Sequence, residues 1–208
     1  KKINEIDINE YKKNFNNYFF HFAQYYNNEP KNFIEQEKIL IDNFYFGLSI
    51  LGFFEKNFFK KIISLQSCLE FYKKNNNLYA LSKSLFADYC SKKYNNYTKI
   101  YLYDTFGVND SRGNLIDIWI KNFILNKPVK VYSNNTKVNL TNADFITKAL
   151  SEVKKIPSGS FSLHSKVNIT LIDLAFLLKK LTNSKSKIIN LKKNKNKLVF
   201  KYENIAEL

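Results

Sequence analysis

Short apolar runs alternate with longer segments of helical periodicity along the first half of the chain. Three runs have the length and composition of buried parallel strands: Tyr18–Ala23, Lys61–Gln66 and Lys99–Tyr103. Between them, the pattern predicts two long helices, over about Phe33–Lys56 and about Leu78–Tyr94. This β-α-β-α-β order predicts an α/β protein built on a parallel sheet with helices on both faces.

The second half of the chain contains shorter predicted elements. Helices are predicted over about Asn114–Leu125, Ala143–Val153 and Thr170–Leu181, the last capped by Asn168 or Thr170. Short strands are predicted at Val129–Tyr132, Lys137–Leu140, Phe161–His164, Lys187–Leu191 and Lys197–Tyr202. Polar loops are predicted at Lys73–Asn77 and Asp104–Ser111.

The predicted strand ends are the place to look for chemistry, because ligands of open parallel sheets bind beyond the carboxyl ends of the strands. Ser67 directly follows the second strand, and Tyr79 and Lys83 begin the next helix. Residues four apart share one helix face, so the Lys83 ammonium can lower the pKa of the Tyr79 phenol from its usual value near 10. Such a phenol can transfer a proton, while the Ser67 hydroxyl bonds the same substrate oxygen.

The Tyr-x-x-x-Lys spacing has low specificity by itself. The chain has 14 tyrosines and many lysines, so roughly two matches are expected by chance. Two occur, at Tyr79/Lys83 and Tyr89/Lys93. Only Tyr79 opens its helix just after a strand-end serine, and the alternative that Tyr79 and Lys83 are ordinary helix residues stays open.

The loop after the third strand contains Arg112, the only arginine of the chain. The planar guanidinium binds phosphate or carboxylate in a two-pronged way that lysine does not. Arg112 is therefore a candidate anion-binding residue. The alternative is a surface ion pair with Asp110 or Asp117.

Composition excludes several classes of protein. The 45% hydrophobic content excludes wholesale disorder, and the longest apolar run, Phe44–Phe54, is too short to cross a bilayer. No signal peptide opens the sequence, and Cys68 and Cys90 form neither a disulfide framework nor a zinc spacing. We therefore expect a cytoplasmic protein without a metal site or a membrane partner.

The formal net charge of +15 raises the alternative of a nucleic-acid-binding module. The basic residues are scattered along the chain, apart from the segment Lys185–Lys197. Scattered lysines are typical of a solvated surface, so we expect no nucleic-acid partner.

Taken together, the ordered motifs resemble the extended short-chain dehydrogenase/reductase family, the NAD-dependent epimerases and dehydratases. The resemblance is carried by HFA at 21–23, DNFYFG at 42–47, Ser67, LYALSK at 78–83 and DTFG at 104–107. Within this family, LYALSK and LYDTFGVNDSRGNL (102–115) look closest to the CDP-abequose synthase type, a CDP-4-dehydro-3,6-dideoxyglucose reductase.

The resemblance implies a role for each matching residue. Ser67, Tyr79 and Lys83 would be catalytic, with NAD or NADP as cofactor and a nucleotide-diphosphate sugar as substrate. Cofactor-binding residues would be Phe22, Ala23, Asn43, Tyr79, Lys83, Asp104 and Thr105. Substrate-binding residues would be Ser67, Cys68, Thr105, Arg112, Asn114 and Leu115.

The resemblance also implies an architecture. Residues 1–112 would form a Rossmann-like core, and residues 113–208 a small, mixed substrate-binding lobe with some elements returning to the core. The family opens with a strand and a glycine-rich turn that binds the dinucleotide pyrophosphate, and this sequence contains no such segment.

The implied activity is that of a nucleotide-sugar 4-ketoreductase or epimerase in O-antigen or capsule sugar synthesis. The two long helices would pair two copies into a homodimer. A non-catalytic relative that acts as a scaffold or sensor is the alternative, prompted by the missing glycine-rich turn.

Overall fold

The computed structural model describes residues 17–27, 29–72, 77–108, 110, 113–191 and 206–207. These residues form two compact units. The first runs to Leu102 and adds Lys154–Ser162 and the described residues near the carboxyl end. The second comprises Tyr103–Val153 and the described residues of Leu163–Glu203.

The first unit is built on a five-stranded sheet in the order β1-β2-β3-β8-β11. Its strands are β1 (Tyr18–His21), β2 (Lys61–Ser67), β3 (Tyr97–Leu102), β8 (Gly159–Leu163) and β11 (Ala206–Glu207). Strand β2 is parallel to both β1 and β3, and β8 is parallel to β11. The predicted α/β fold with a helix-flanked parallel sheet is confirmed.

The helices of the first unit follow the predicted order, with one difference. Helix α3 (Leu69–Tyr72) and helix α4 (Leu78–Lys93) lie between β2 and β3. The predicted helix over 33–56 consists of α1 (Phe33–Leu40), a π-helical turn (Ile41–Tyr45) and α2 (Phe46–Phe53). Apolar periodicity does not distinguish a π turn from an α turn, so the sequence pattern missed it.

One apolar core joins these elements on one side of the sheet. Phe19 and Ile62 from the strands pack with Leu51 of α2 and with Phe86 and Cys90 of α4. Both helices therefore use an inner face of small and aromatic residues to cover β1–β3. This packing fixes where the amino-terminal turn of α4 lies relative to the end of β2.

The second unit contains small strand pairs and three helices among its described residues. Its strands are β4 (Asp104–Phe106), β5 (Val129–Val131), β6 (Lys137–Val138), β7 (Leu140–Asn142), β9 (Ile169–Thr170) and β10 (Ile188–Asn190). Its helices are α5 (Leu115–Ile124), α6 (Ala143–Ser151) and α7 (Leu171–Leu181). Trp119, Phe123, Val129 and Leu174 contribute to its buried core.

Two predictions for the second unit need correction. Asp104–Phe106, predicted as part of a loop, is strand β4 and pairs in parallel with β7. The predicted strand Lys137–Leu140 is two strands, interrupted at the buried Asn139. Both differences arise from contacts between distant segments, which a local pattern does not contain.

The remaining predicted elements have mixed outcomes. The cap of α7 is Thr170, whose side chain accepts a hydrogen bond from the Asp173 amide. The predicted strand Lys197–Tyr202, and the predicted loop Lys73–Asn77 apart from Asn77, lie outside the described residues. Within the part of the chain that the structure describes, no helix is both long and apolar enough to cross a membrane.

Gly47 permits the close approach of α2 to α4. A Cβ atom at Gly47 would lie 2.5 Å from Cε2 of Phe86 and 3.1 Å from Cε1 of His21. We expect Gly47→Ala to reduce the free energy of unfolding by about 1–3 kcal/mol, because the ring and helix must move apart. Gly52→Ala on the same helix is the matched control, since nothing lies within 4 Å of its added Cβ.

Urea denaturation of the two alanine variants tests this. The control should be neutral or more stable by about 0.5–1 kcal/mol, because alanine is the better helix residue. Equal effects of the two substitutions would contradict the proposed close packing at Gly47.

Candidate functional site

The amino-terminal turn of α4 carries Tyr79 and Lys83 on its buried face. Asn77 caps the helix, and its side chain accepts a hydrogen bond from the Ala80 amide. Tyr79 and Lys83 are each 4% exposed, and the Lys83 ammonium lies 5.6 Å from the centre of the Tyr79 ring. The structure therefore brings these two residues together, as their spacing predicted.

The Tyr79 hydroxyl lies beside the loop that follows β1. It donates a hydrogen bond to Oε1 of Gln24 at 3.0 Å, and the ring of Tyr26 packs edge-on against the Tyr79 ring. Gln24 and Tyr26 are exposed, so the phenol ends at a solvent-facing loop. Phe22 and Ala23, the predicted cofactor-binding residues, belong to this loop and are exposed and half-buried, respectively.

Lys83 is a buried cation. Its Nζ donates a hydrogen bond to the Leu65 carbonyl at 2.8 Å, near the end of β2. Burial lowers the pKa of the Lys83 ammonium to about 8, and the nearby carboxylate of Glu70 opposes that shift. Lys83 can therefore supply positive charge beside Tyr79 at neutral pH, as the proposed phenol chemistry requires.

Ser67 ends β2 and begins the turn into α3. Its amide donates to Oε1 of Glu70 at 2.8 Å, and its hydroxyl accepts a hydrogen bond from the Leu69 amide at 3.2 Å. Among the residues that the structure describes, no hydrogen bond joins Ser67 to Tyr79. The adjacent Cys68 is half-buried and forms no disulfide among the described residues, and its amide donates a hydrogen bond to the Leu102 carbonyl.

Glu70 is a site residue that the sequence reasoning missed. It is 6% exposed, and its Oε2 accepts a hydrogen bond from Oγ of Ser84, one residue beyond Lys83. Burial raises the pKa of the Glu70 carboxyl to about 7, although the hydrogen bond from the Ser67 amide and the charge of Lys83 both lower it. The sequence does place a carboxylate three residues after the strand-end serine. Its spacing, however, did not indicate that the Glu70 side chain is buried.

Asn43 lies in the π-helical turn and joins the loop after β1 to α4. It is 1% exposed; its Oδ1 accepts from the Tyr25 amide, and its Nδ2 donates to Oγ of Ser82 at 3.2 Å. The main-chain carbonyl of Asn43 bonds Nε2 of His21 at 3.1 Å. The predicted helix asparagine is thus adjacent to the Tyr79–Lys83 turn of α4.

His21 makes the stability of this unit depend on acidity. Burial is the main reason that its pKa falls from 6.5 to about 4, and Lys83 lowers it further. Between these values the unfolded chain takes up a proton that the folded chain does not, so stability falls as the pH is lowered. The expected contribution of His21 to the change in stability between pH 6.5 and pH 4 is a loss of about 3 kcal/mol. Glu70, whose pKa burial raises to about 7, contributes with the opposite sign over the same range.

The control is His21→Gln, which keeps a neutral hydrogen-bond donor. Urea denaturation across this pH range should show that the stability of His21→Gln relative to the wild type increases as the pH is lowered. Parallel curves for the two proteins would rule out His21 as the source of the pH dependence.

The other predicted site residues belong to the second unit. Asp104 exchanges main-chain and side-chain hydrogen bonds with Asn139, and burial raises the pKa of the Asp104 carboxyl. Thr105 pairs with Thr141 in the β4–β7 ladder. Asn114 caps α5 and also donates to Oδ2 of Asp110 at 2.7 Å.

Two predicted substrate-binding residues complete the set. Leu115 is the first residue of α5 and is 40% exposed. Arg112 lies outside the described residues. In the second unit, the hydrogen bonds of Asp104 and Asn114 thus give these two residues structural roles.

Comparison with known proteins shows the fold and little sequence similarity. No protein-family model matches the sequence, and no curated protein matches it. A Bacillus anthracis dTDP-4-dehydrorhamnose reductase in complex with NADP matches with a TM-score of 0.71 at 12% identity, over 88% of this chain and 68% of that one.

Two epimerase structures match similarly. The UDP-glucose 4-epimerase of Thermotoga maritima, with UDP-glucose, has a TM-score of 0.72 at 16% identity, over 96% of this chain and 69% of that one. The UDP-glucuronic acid 4-epimerase of Bacillus cereus, with NAD, has a TM-score of 0.74 at 14% identity, over 92% of this chain and 68% of that one. At such low identity, these likenesses show that the chain has the fold of nucleotide-sugar reductases and epimerases.

Proposed function

We propose that the chain is part of an NAD- or NADP-dependent enzyme that acts on nucleotide-activated sugars as a 4-ketoreductase or epimerase. The observation that carries this proposal is the buried Tyr79–Lys83 pair at the end of the parallel sheet. The fold supports it, because structures with this fold include reductases and epimerases crystallised with NADP, NAD or UDP-glucose.

Lys83 has the hydrogen-bonding capacity that a nicotinamide nucleotide would need. An ammonium has three N–H donors, and within the described chain Lys83 uses one, on the Leu65 carbonyl. Ribose hydroxyls are suitable acceptors for the other two. Phe22, Ala23, Asn43, Asp104 and Thr105 are the further residues proposed to contact the nucleotide.

The proton chemistry belongs to Tyr79. Its phenol gives a proton to, or takes one from, the sugar oxygen, and the Lys83 ammonium favours the phenolate. The Ser67 hydroxyl polarises the same oxygen. The nicotinamide supplies or accepts the hydride when it is bound.

For the substrate, we propose a narrower assignment. The motifs at 78–83 and 102–115 support a 4-ketoreductase of the CDP-abequose synthase type, active in O-antigen or capsule sugar synthesis. We propose that residues 113–208 contribute the substrate lobe, and that the substrate contacts Cys68, Thr105, Arg112, Asn114 and Leu115.

The helices of the first unit support a homodimer. Large apolar side chains of α1, the π turn, α2 and α4 are exposed, and exposed apolar patches mark interaction surfaces. They are Phe33, Ile34, Ile41, Tyr45, Phe46, Leu85 and Tyr89. Sedimentation analysis should give twice the chain mass, and a monomer at all concentrations would contradict the proposal.

The activity is tested by incubating the protein with NADH or NADPH and a panel of CDP-, dTDP- and UDP-linked 4-keto sugars. Epimerisation is tested with the corresponding 4-hydroxy sugars and NAD. We expect NMR to show a changed configuration or oxidation state at the sugar carbon C4. No conversion of any sugar by the folded protein would contradict the proposed function.

A further inference from the structure

We propose that Glu70 is a positioning residue for the Tyr79–Lys83 pair: its buried carboxylate ties the strand end at Ser67 to the turn of α4 that carries Lys83 and places a negative charge at that turn. The catalytic consequence of this role rests on the function proposed above. The role itself rests on the contacts of Glu70 and is testable without turnover.

The two carboxylate oxygens of Glu70 connect two elements of the site. Oε1 accepts from the Ser67 amide at 2.8 Å, and Oε2 accepts from Oγ of Ser84 at 3.0 Å. Ser67 ends β2, and Ser84 follows Lys83 on α4. Glu70 therefore holds the strand end and the turn of α4 that carries Lys83 at a fixed separation.

A chain of buried polar groups holds Glu70 itself. With the Gln66 amide oxygen facing Ser64, its nitrogen lies 3.0 Å from Oε1 of Glu70, and both ends of the amide are satisfied. Ser64 also bonds the Tyr97 hydroxyl. Such fully bonded buried networks have one preferred geometry, so the Glu70 carboxylate has little freedom to leave its position between Ser67 and Ser84.

Among the described groups, Glu70 is the one whose charge acts on the pKa of Lys83. A buried ammonium costs much free energy unless an opposite charge lies nearby, and Glu70 opposes the effect of burial on Lys83. Burial keeps His21 on β1 neutral near pH 7. On β3, the Lys99 cation acts on Glu70, and Glu70 in turn adds to the effect of burial in raising the pKa values of the Tyr97 and Tyr101 phenols.

This arrangement has a consequence for catalysis. Tyr79 needs the Lys83 ammonium, which is lost as the pH rises through the pKa of Lys83. Since Glu70 stabilises the ammonium, it extends the range in which the pair works toward higher pH. Replacing Glu70 with a neutral residue should move the alkaline fall of turnover to lower pH.

The decisive experiment is NMR titration of lysine labelled at Cε, with the Lys83 signal identified by its loss in Lys83→Arg. The wild-type signal should titrate near pH 8. In Glu70→Gln, which keeps the size and a hydrogen-bond acceptor, the midpoint should fall by about one pH unit or more, because an opposite charge nearby is lost.

Two matched variants separate charge from packing. Glu55→Gln removes an exposed carboxylate of the same unit, and Ser84→Ala removes a hydrogen bond to Glu70 while leaving its charge. Both should keep the Lys83 midpoint closer to that of the wild type than Glu70→Gln does. An unchanged midpoint in Glu70→Gln would overturn the proposal.

Two further outcomes keep the test conclusive. If Glu70→Gln does not fold, the wild-type protein provides the test. Its Lys83 signal should shift in the pH range in which the Glu70 carboxyl titrates. A Lys83 signal that does not change in that range would overturn the proposal. A wild-type protein without turnover on any sugar would contradict the proposed function, while the Lys83 midpoint would still establish or refute the role of Glu70.

Discussion

Tyr79→Phe is expected to reduce turnover by about 100- to 10,000-fold, the contribution typical of a positioned proton donor. The substitution removes one hydroxyl and its hydrogen bond to Gln24 and leaves the ring against Tyr26. The fold and the affinity for nicotinamide nucleotide should therefore change little. Steady-state kinetics should show the loss in kcat, with thermal unfolding measured beside it.

The chain provides its own control for this experiment. Tyr89 is the tyrosine of the second Tyr-x-x-x-Lys match, on the same helix, but it is 43% exposed. Tyr89→Phe should keep wild-type turnover. Full turnover by Tyr79→Phe would exclude Tyr79 as the proton-transferring group.

Lys83→Met is expected to have the largest effect on stability. It removes the larger of the two positive charges that act on the buried Glu70 carboxylate and also removes the hydrogen bond to the Leu65 carbonyl. A buried carboxylate that loses a compensating charge is destabilised by up to about 3–5 kcal/mol. Since burial raises the pKa of Glu70 to about 7 and lowers that of Lys83 to about 8, the cost should be greatest between these pH values, where both groups are charged. It should shrink below pH 7 as the carboxyl takes up a proton. Urea denaturation on both sides of pH 7 measures this difference.

The double variant Lys83→Met/Glu70→Gln distinguishes lost charge pairing from lost packing. It should recover part of the stability that Lys83→Met loses above pH 7, because no uncompensated carboxylate remains. Equal stability of the double variant and Lys83→Met at every pH would show that the Lys83–Glu70 interaction does not contribute to folding.

The sequence contained enough to predict strands β1–β3 of the sheet and the proximity of Tyr79 to Lys83. Apolar runs at 18–23 and 61–66 are long enough to bury two strands, and the helical period between them leaves a parallel pairing as the favoured arrangement. The four-residue spacing then places Tyr79 and Lys83 on one face. These features are local, and local patterns report them well.

Other features depend on contacts between distant segments. Strand β4 exists because Asp104–Phe106 pairs with Leu140–Asn142. Glu70 turns inward because Ser84, fourteen residues later, provides a donor to its carboxylate. The difference between Tyr79 and Tyr89 is likewise burial, which the repeated Tyr-x-x-x-Lys spacing does not encode.

The roles proposed for Tyr79 and Lys83 require that a nicotinamide nucleotide binds beside them, and calorimetric titration of the protein with NADH and NADPH tests this most directly. We predict saturable binding of at least one of the two, with one nucleotide bound per chain and Tyr79→Phe retaining it. Absence of saturable binding by the folded wild-type protein to either nucleotide would contradict the proposed enzyme function.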